Sequence, residues 1–289
     1  MHSFHYSSPM LSNAGVKYHF GRINVRGPEN PNSVIQTALQ NHVLLDTGAI
    51  NWGFFDTGAL EAQQPPILHG YLTKYRTVAE EEVAVTESGT IDQAQLENQV
   101  IAKARFFLDL SSHIIAFNNP RAQIKDQTFS RKFIDLIREA HEGILLDGEI
   151  DLINETDDIF AKMRAMDIID TLQFDLIPTN PSNSEAYREF DERLKIRKAA
   201  KYKEIHIAQE GQSLEILEDP ELVGKIHMAS DGYGTASAKG IKNGKPTIVS
   251  TKDAPLTALA PGDDTPARET FEFLEDEFKR IMERTHGQK

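Results

Sequence analysis

The stretch Phe106–Asn119, FFLDLSSHIIAFNN, sets two runs of aromatic and β-branched residues on either side of Ser111-Ser112. Strands that are apolar at consecutive positions are covered on both faces, and the serine pair predicts a two-residue hairpin. The segment therefore predicts an antiparallel pair at the centre of a sheet, with Asp109 and His113 flanking its turn. Further strands are predicted over Val16–Val25 and Ile67–Val78, over Ile168–Ile177 (stopped by Pro178), and over Lys203–Gln209. A hairpin on Asn243-Gly244 joins Gly232–Ile241 to Thr247–Thr251. Helical spacing is interleaved with these. It predicts a short helix after Pro31 capped by Asn32 or Ser33, and a helix burying Phe129, Phe133, Ile134 and Ile137. It also predicts helices over Asp157–Met166, Ser184–Lys201 and Asp219–Met228, and a terminal helix striped with Phe271, Leu274, Phe278, Ile281 and Met282. Hairpin-linked strands among helices give an α+β fold with largely antiparallel sheets and flanking helices, in two lobes, 1–145 and 146–289.

Charge narrows the function classes. The 289 residues carry 31 basic and 44 acidic side chains, a formal net charge of -13, which argues against a protein dominated by non-specific phosphate binding. Between Thr77 and Gln99 lie Glu80, Glu81, Glu82, Glu87, Asp92 and Glu97 with no Lys or Arg, read as a solvated loop or excursion. The chain has no cysteine, which removes disulfides, thiolate nucleophiles and cysteine-ligated zinc. Its start, MHSFHYSSPML, lacks the basic-then-apolar pattern of a leader, and no apolar run approaches the ~18 residues of a membrane span. A cytoplasmic protein is expected, brought to any membrane by a partner.

The sequence VLLDTGAINWGFFDTGAL, Val43–Leu60, spells Asp-Thr-Gly-Ala twice. An aspartic protease brings two such carboxylates together from two lobes or two chains so that they share a proton, and copies ten residues apart on one meander do not meet that need. Asp46 and Asp56 are therefore read as turn caps. Gly240–Pro246 has one residue too few for a Walker loop and Pro at the metal-binding position, and Gly232-Tyr233-Gly234 lacks a third glycine. No motif calls for a metal or a cofactor. One cluster opposes the net charge: Arg193, Lys195, Arg197, Lys198, Lys201 and Lys203 within eleven residues. At helical spacing Arg193, Arg197 and Lys201 form a stripe suited to a phosphate backbone. Acids at the start of the same segment give the plainer reading of a solvated helix whose charges complement its dipole.

The segments LTKYR, FFLDLSSHIIAF, LQFDLIPTNP and IVSTKDAPL, taken in order, resemble an uncharacterised bacterial family of unknown function that accompanies prophage and antiviral-defence genes. More loosely, the order of elements is similar to the RexA phage-exclusion proteins, DNA-binding cytosolic sensors that work with a membrane effector. The resemblance implies a non-enzymatic sensor or adaptor of anti-phage defence, with a phage protein or nucleic acid as trigger and an effector protein as partner. Nucleic acid would use Arg193–Lys203, and a second copy of the chain would use the apolar stripe of the last helix, whose plainer reading is packing on its own domain. The alternative class is a nuclease or aspartic-type protease whose carboxylates, Asp46, Asp56, Asp170 and Asp175, gather only in the fold.

Overall fold

The computed structural model describes residues 15–27, 30–63, 66–85, 90–119, 123–141, 147–179 and 184–286, with the backbone alone for 79–85, 90–96 and 286. Among these, twelve strands and seven helices form the expected α+β arrangement: a curled eight-stranded sheet and a separate four-stranded one, antiparallel throughout.

The first sheet is built around β1 (Val16–Arg26). Along one edge of β1 runs β6 (Ile114–Asn118), followed by β5 (Thr90–Asp109), β4 (Ile67–Val85), β3 (Asn51–Leu60) and β2 (Leu44–Asp46). Along the other edge lie β12 (Thr257–Ala260), paired with Val16–His19, and β7 (Asp147–Leu152), paired with Gly21–Arg26. Alternation sorts the side chains between two cores. Ile23, Val25, Phe106, Ile115 and Phe117 pack under α1 (Pro31–Gln40) and α2 (Asp126–Glu139), where Phe117 stacks on Phe129 at 4.0 Å between ring centroids. Tyr18, Phe20, Phe107 and Ile114 face the other way, against Phe271 of α6 (Ala267–Glu272) and Phe278 and Ile281 of α7 (Glu275–His286). A strand covered on both faces must be apolar at consecutive positions, which explains the two runs around Ser111-Ser112.

The second sheet runs β11 (Lys245–Ser250), β10 (Gly234–Lys242), β8 (Ile168–Leu176), β9 (Tyr202–Ile207). Its inner face, with Leu172, Phe174 and Leu176, packs on α3 (Thr156–Arg164), α4 (Arg188–Ile196) and α5 (Pro220–Ser230). Asn243 and Gly244, with φ of 52° and 70°, make the tight turn expected between β10 and β11.

Several expectations are corrected. The acidic segment 77–99 is not a loop: β4 and β5 stay paired from Ile67↔Asp109 out to Val85↔Thr90, well past the last pairing of β4 with β3 at Tyr75. The turn between β5 and β6 has four residues, because the last pair is Asp109↔Ile114 and His113 takes φ 57°. Asn30, rather than Asn32 or Ser33, caps α1 by accepting from the Asn32 amide. The charged helix spans only Arg188–Ile196, since Lys198 turns to φ 54°. The terminal stripe is broken between α6 and α7 and spent on the chain's own sheet, so it is not an open face for a second copy. Sheet membership also crosses the 145/146 boundary: β7 and β12, from the second half of the chain, pair with β1.

Phe278 is 2% exposed and meets Phe20 edge-on, so Phe278→Ala is expected to cost roughly 3–5 kcal/mol in denaturant unfolding at every protein concentration. A cost that changes with concentration would place the stripe at an interface instead.

Candidate functional site

The two sheets meet around Arg22, a charged residue on the apolar face of β1 with no exposed surface. Its Nε donates to the Asp231 carbonyl at 2.8 Å and its Nη1 to the Ser112 carbonyl at 2.6 Å, while the guanidinium lies 4.6 Å over the Tyr233 ring. Asp231, just past α5, is 2% exposed; its carboxylate accepts from Tyr187 Oη at 2.9 Å and pairs with Arg284 Nε of α7 at 2.7 Å. Arg284 also donates to the Asn154 and Ser230 carbonyls, and Asn24 Nδ2 donates to that of Gly232. Gly232 has φ +82°, and a Cβ there would lie 2.8 Å from Arg22 Cβ, so only glycine lets the chain pass so close. Buried charges persist where partners satisfy them, and here the partners come from β1, the β5–β6 turn, α5 and α7. Replacing Arg22 with Leu strands two carbonyls. About 1–3 kcal/mol for each unsatisfied group is the expected loss, read by thermal unfolding.

Beside this joint opens a cleft of about 480 Å³. One wall is α2, with Gln127, Ser130, Arg131 and Arg138; the opposite wall is the start of β10 at Gly234 and Thr235 with the 3-10 turn Thr251–Asp253. Between them runs β7, whose residues Gly148 to Leu152 all line the cavity. Ile150 and Leu152 turn toward the α1–α2 core, and the alternation sends Glu149 and Asp151 to the opposite face.

Asp151 is the chemically distinctive group. It stands across the ladder from Arg22, whose Nε and Nη1 are given to the two carbonyls and whose guanidinium lies over Tyr233, while the buried Nη2 has no hydrogen-bond partner among the described residues. Asp151 Oδ2 is sealed from solvent and has no hydrogen-bond partner among the described residues. Burial, reinforced by Glu149 and Asp175 and opposed by Lys252 and Lys201, pushes its carboxyl up to about 7. A carboxyl that exchanges its proton near neutrality, in a cleft, can serve as a proton donor or acceptor or as the counter-charge for a cationic ligand.

The residues expected from sequence fall elsewhere, or only at the rim. Asp46 ends β2 and accepts from the Gly48 amide at 2.8 Å, the turn-capping role expected of it. Asp56 lies inside β3 where the pairing register shifts, with φ 49°, rather than capping a turn between strands. Asp170 and Asp175 belong to β8 of the other sheet, so the four carboxylates divide between two sheets. Only Asp175 comes within electrostatic reach of Asp151. In the basic segment, Arg193 binds Glu221 at 2.9 Å, Lys195 binds Asp191 at 2.7 Å, and Lys201 and Lys203 both bind Asp175, at 2.7 and 3.5 Å. Arg197 caps α4 and Lys198 follows it, so the predicted three-residue helical stripe does not form. Lys201 acts on Asp151 through the field, and its bond to Asp175 raises its own proton affinity.

Arg22 and Asp151 were not picked out from the sequence, although both left a signal. Arg22 is the charged member of the apolar series Tyr18-Phe20-Arg22, and Asp147-Gly148-Glu149-Ile150-Asp151-Leu152 alternates acids with apolar residues after Gly148. Among the described residues no group of three His, Asp or Glu is placed to hold a metal ion, and no helix is long and apolar enough to cross a membrane.

Because burial favours the protonated carboxyl, Asp151 supports the fold fully below about pH 4, where the unfolded chain is protonated as well. That support is lost as pH rises through about 7. Asp151→Asn is therefore expected to be more stable than the parent at pH 8, by on the order of a few kcal/mol, and close to it at pH 4. Thermal unfolding at the two pH values checks this, and an equal effect at both would contradict it.

No curated protein matches the chain. The family model described as Domain of unknown function (DUF4747) matches residues 17–282, which include the cleft, both sheets but for Val16, and the joint but for Arg284. The chain belongs to the DUF4747 family, a domain of unknown function.

Proposed function

We propose that this protein is a non-catalytic sensor or adaptor of bacterial anti-phage defence, cytoplasmic, which takes a phage-derived trigger into the cleft and signals to a partner effector. The observation that carries the reading is that the cleft walls come from both sheets, with α2 and β7 on one side and β10 and the Thr251–Asp253 turn on the other. A ligand bridging these walls has a different affinity for each fit between the sheets, and that difference is what a sensor needs in order to shift a conformational equilibrium. The paired β4–β5 extension supplies a surface for the outgoing signal. Its backbone runs beyond the last pairing with β3, and its sequence there is acidic, a charge suited to a basic face on an effector. The defence context rests on the resemblance of the strand segments to prophage-associated proteins and to the RexA type. Of the two triggers, protein is favoured over nucleic acid, because four of the six cations in Arg193–Lys203 already hold carboxylates.

A second reading, an enzyme, is favoured by one observation: the proton of Asp151 exchanges near neutral pH within a cleft. It moves the candidate carboxylate from Asp46 to Asp151.

The two separate in one experiment. Cells expressing the gene with its chromosomal neighbours are challenged with a panel of phages, alongside Asp151→Asn and Thr235→Arg variants. The purified chain is assayed in parallel against nucleic-acid and peptide substrates. The sensor reading expects plaque counts at least tenfold lower with the parent, restored by both variants, and no turnover. Turnover that is lost in Asp151→Asn would establish the enzyme, and plaque counts unaffected by the protein would end the defence reading.

A further inference from the structure

We infer that the cleft-facing edge of β7 is a docking site for an extended segment of a partner protein, which adds to the first sheet as a strand and places a Lys or Arg side chain against Asp151. This inference rests on the binding-module reading with a protein trigger and names how that trigger is held.

The backbone makes the first part of the case. Among the described residues β7 pairs only with β1, and Arg22↔Asp151 and Asn24↔Glu149 are opposed residues on that ladder. The Phe20 carbonyl accepts from the Ile153 amide, so the odd-numbered residues 149, 151 and 153 direct their amides and carbonyls toward β1. The even-numbered residues direct theirs into the cleft. Two of those carbonyls are held: Gly148 accepts from Arg138 Nη2 at 3.3 Å and Leu152 from Asn154 Nδ2 at 2.7 Å. The Ile150 amide and carbonyl and the Leu152 amide lie between them, on an edge that no other strand among the described residues covers. An open strand edge is a template for main-chain pairing with another chain, and here it forms the floor of a slot rather than a solvated rim.

Charge makes the second part. Asp151 lines the same slot, and its Oδ2 is a sealed acceptor with no donor among the described residues. The cations near it are engaged in part or only approach it: Lys201 binds Asp175, Arg22 gives Nε and Nη1 to the Asp231 and Ser112 carbonyls and keeps Nη2 unpartnered among the described residues, and Lys252 acts on it through the field. Glu149, on the same face of β7, is held by Arg26 at 3.6 Å. A peptide cation arriving beside Asp151 therefore meets a carboxyl with a free oxygen. Since the cation pairs with the ionised form, docking releases the Asp151 proton and strengthens as pH rises through neutrality.

A selection of displayed random heptapeptides against the full-length chain at pH 8 lets the site choose its own ligand. The expected winners carry Lys or Arg. Synthesised, they bind at least tenfold more weakly at pH 5.5 than at pH 8, and at least tenfold more weakly to Asp151→Asn, whose thermal unfolding confirms that it folds. N-methylation of alternate peptide amides, which leaves the protein untouched, is expected to abolish binding. Hydrogen exchange is expected to slow at the Ile150 and Leu152 amides in the complex. Winners without a basic residue, equal binding by Asp151→Asn, protection at other amides, or no enrichment over the starting library would each overturn the inference. In that event plaque counts that still respond to Thr235→Arg would leave the sensor reading standing, so the two fail separately.

Discussion

Arg22 has none of its surface exposed, and the several kcal/mol needed to take a guanidinium out of water fixes what its neighbours must be. One acceptor is the Ser112 carbonyl, delivered by the four-residue turn between β5 and β6; another is the Asp231 carbonyl, delivered by the end of α5. The chain then has to leave α5 close against the Arg22 side chain, which it does at Gly232. Arg284 of α7 closes the arrangement by pairing with the Asp231 carboxylate. A single charge on β1 thus couples the core of the first sheet, the helices of the second and the last helix of the chain, so the two sheets cannot be built as independent lobes.

The same commitment leaves Asp151 without its natural counter-ion. In an antiparallel ladder, opposed residues of opposite charge ordinarily pair, and Arg22 and Asp151 are opposed. With the guanidinium turned onto Tyr233 and two carbonyls, Asp151 keeps a buried oxygen without a donor, at a strand edge that faces a cleft. Unsatisfied buried acceptors are rare because each costs stability. One that persists beside an open cavity is where a binding partner gains the most, since whatever donates to it recovers that cost.

Much of the fold was legible in the sequence because local patterning and tertiary packing agree in it. The double apolar runs of FFLDLSSHIIAF predicted a covered central pair, Asn243-Gly244 predicted its turn, and Asp219-Pro220 predicted the start of α5. Reading failed where long-range partners decide. Nothing local marks the segments 77–85 and 90–99 as paired, since their many acids argue for solvent, yet they continue the ladder of the strands that feed them. The basic run 193–203 reads as one helix until Lys198 turns away and Lys201 and Lys203 bind Asp175 across the sheet. The site was less legible still. Its composition is ordinary, and Asp151 becomes unusual only because a residue more than a hundred positions away declines to pair with it. The repeated Asp-Thr-Gly-Ala, the most conspicuous motif, does local turn work at Asp46 and marks a register shift at Asp56.

Packing around Arg22 leaves Asp151 half-buried, with Oδ2 sealed and without a donor among the described residues, and holds the carboxyl protonated into the neutral range. Carboxyl-carbon NMR on selectively labelled protein, with the resonance assigned by Asp151→Asn, measures this directly as pH is varied. The account predicts a titration midpoint near the value of about 7 to which burial drives this group. A midpoint near 4, the ordinary range for an aspartate in water, would contradict it and show that the carboxyl is solvated or already paired.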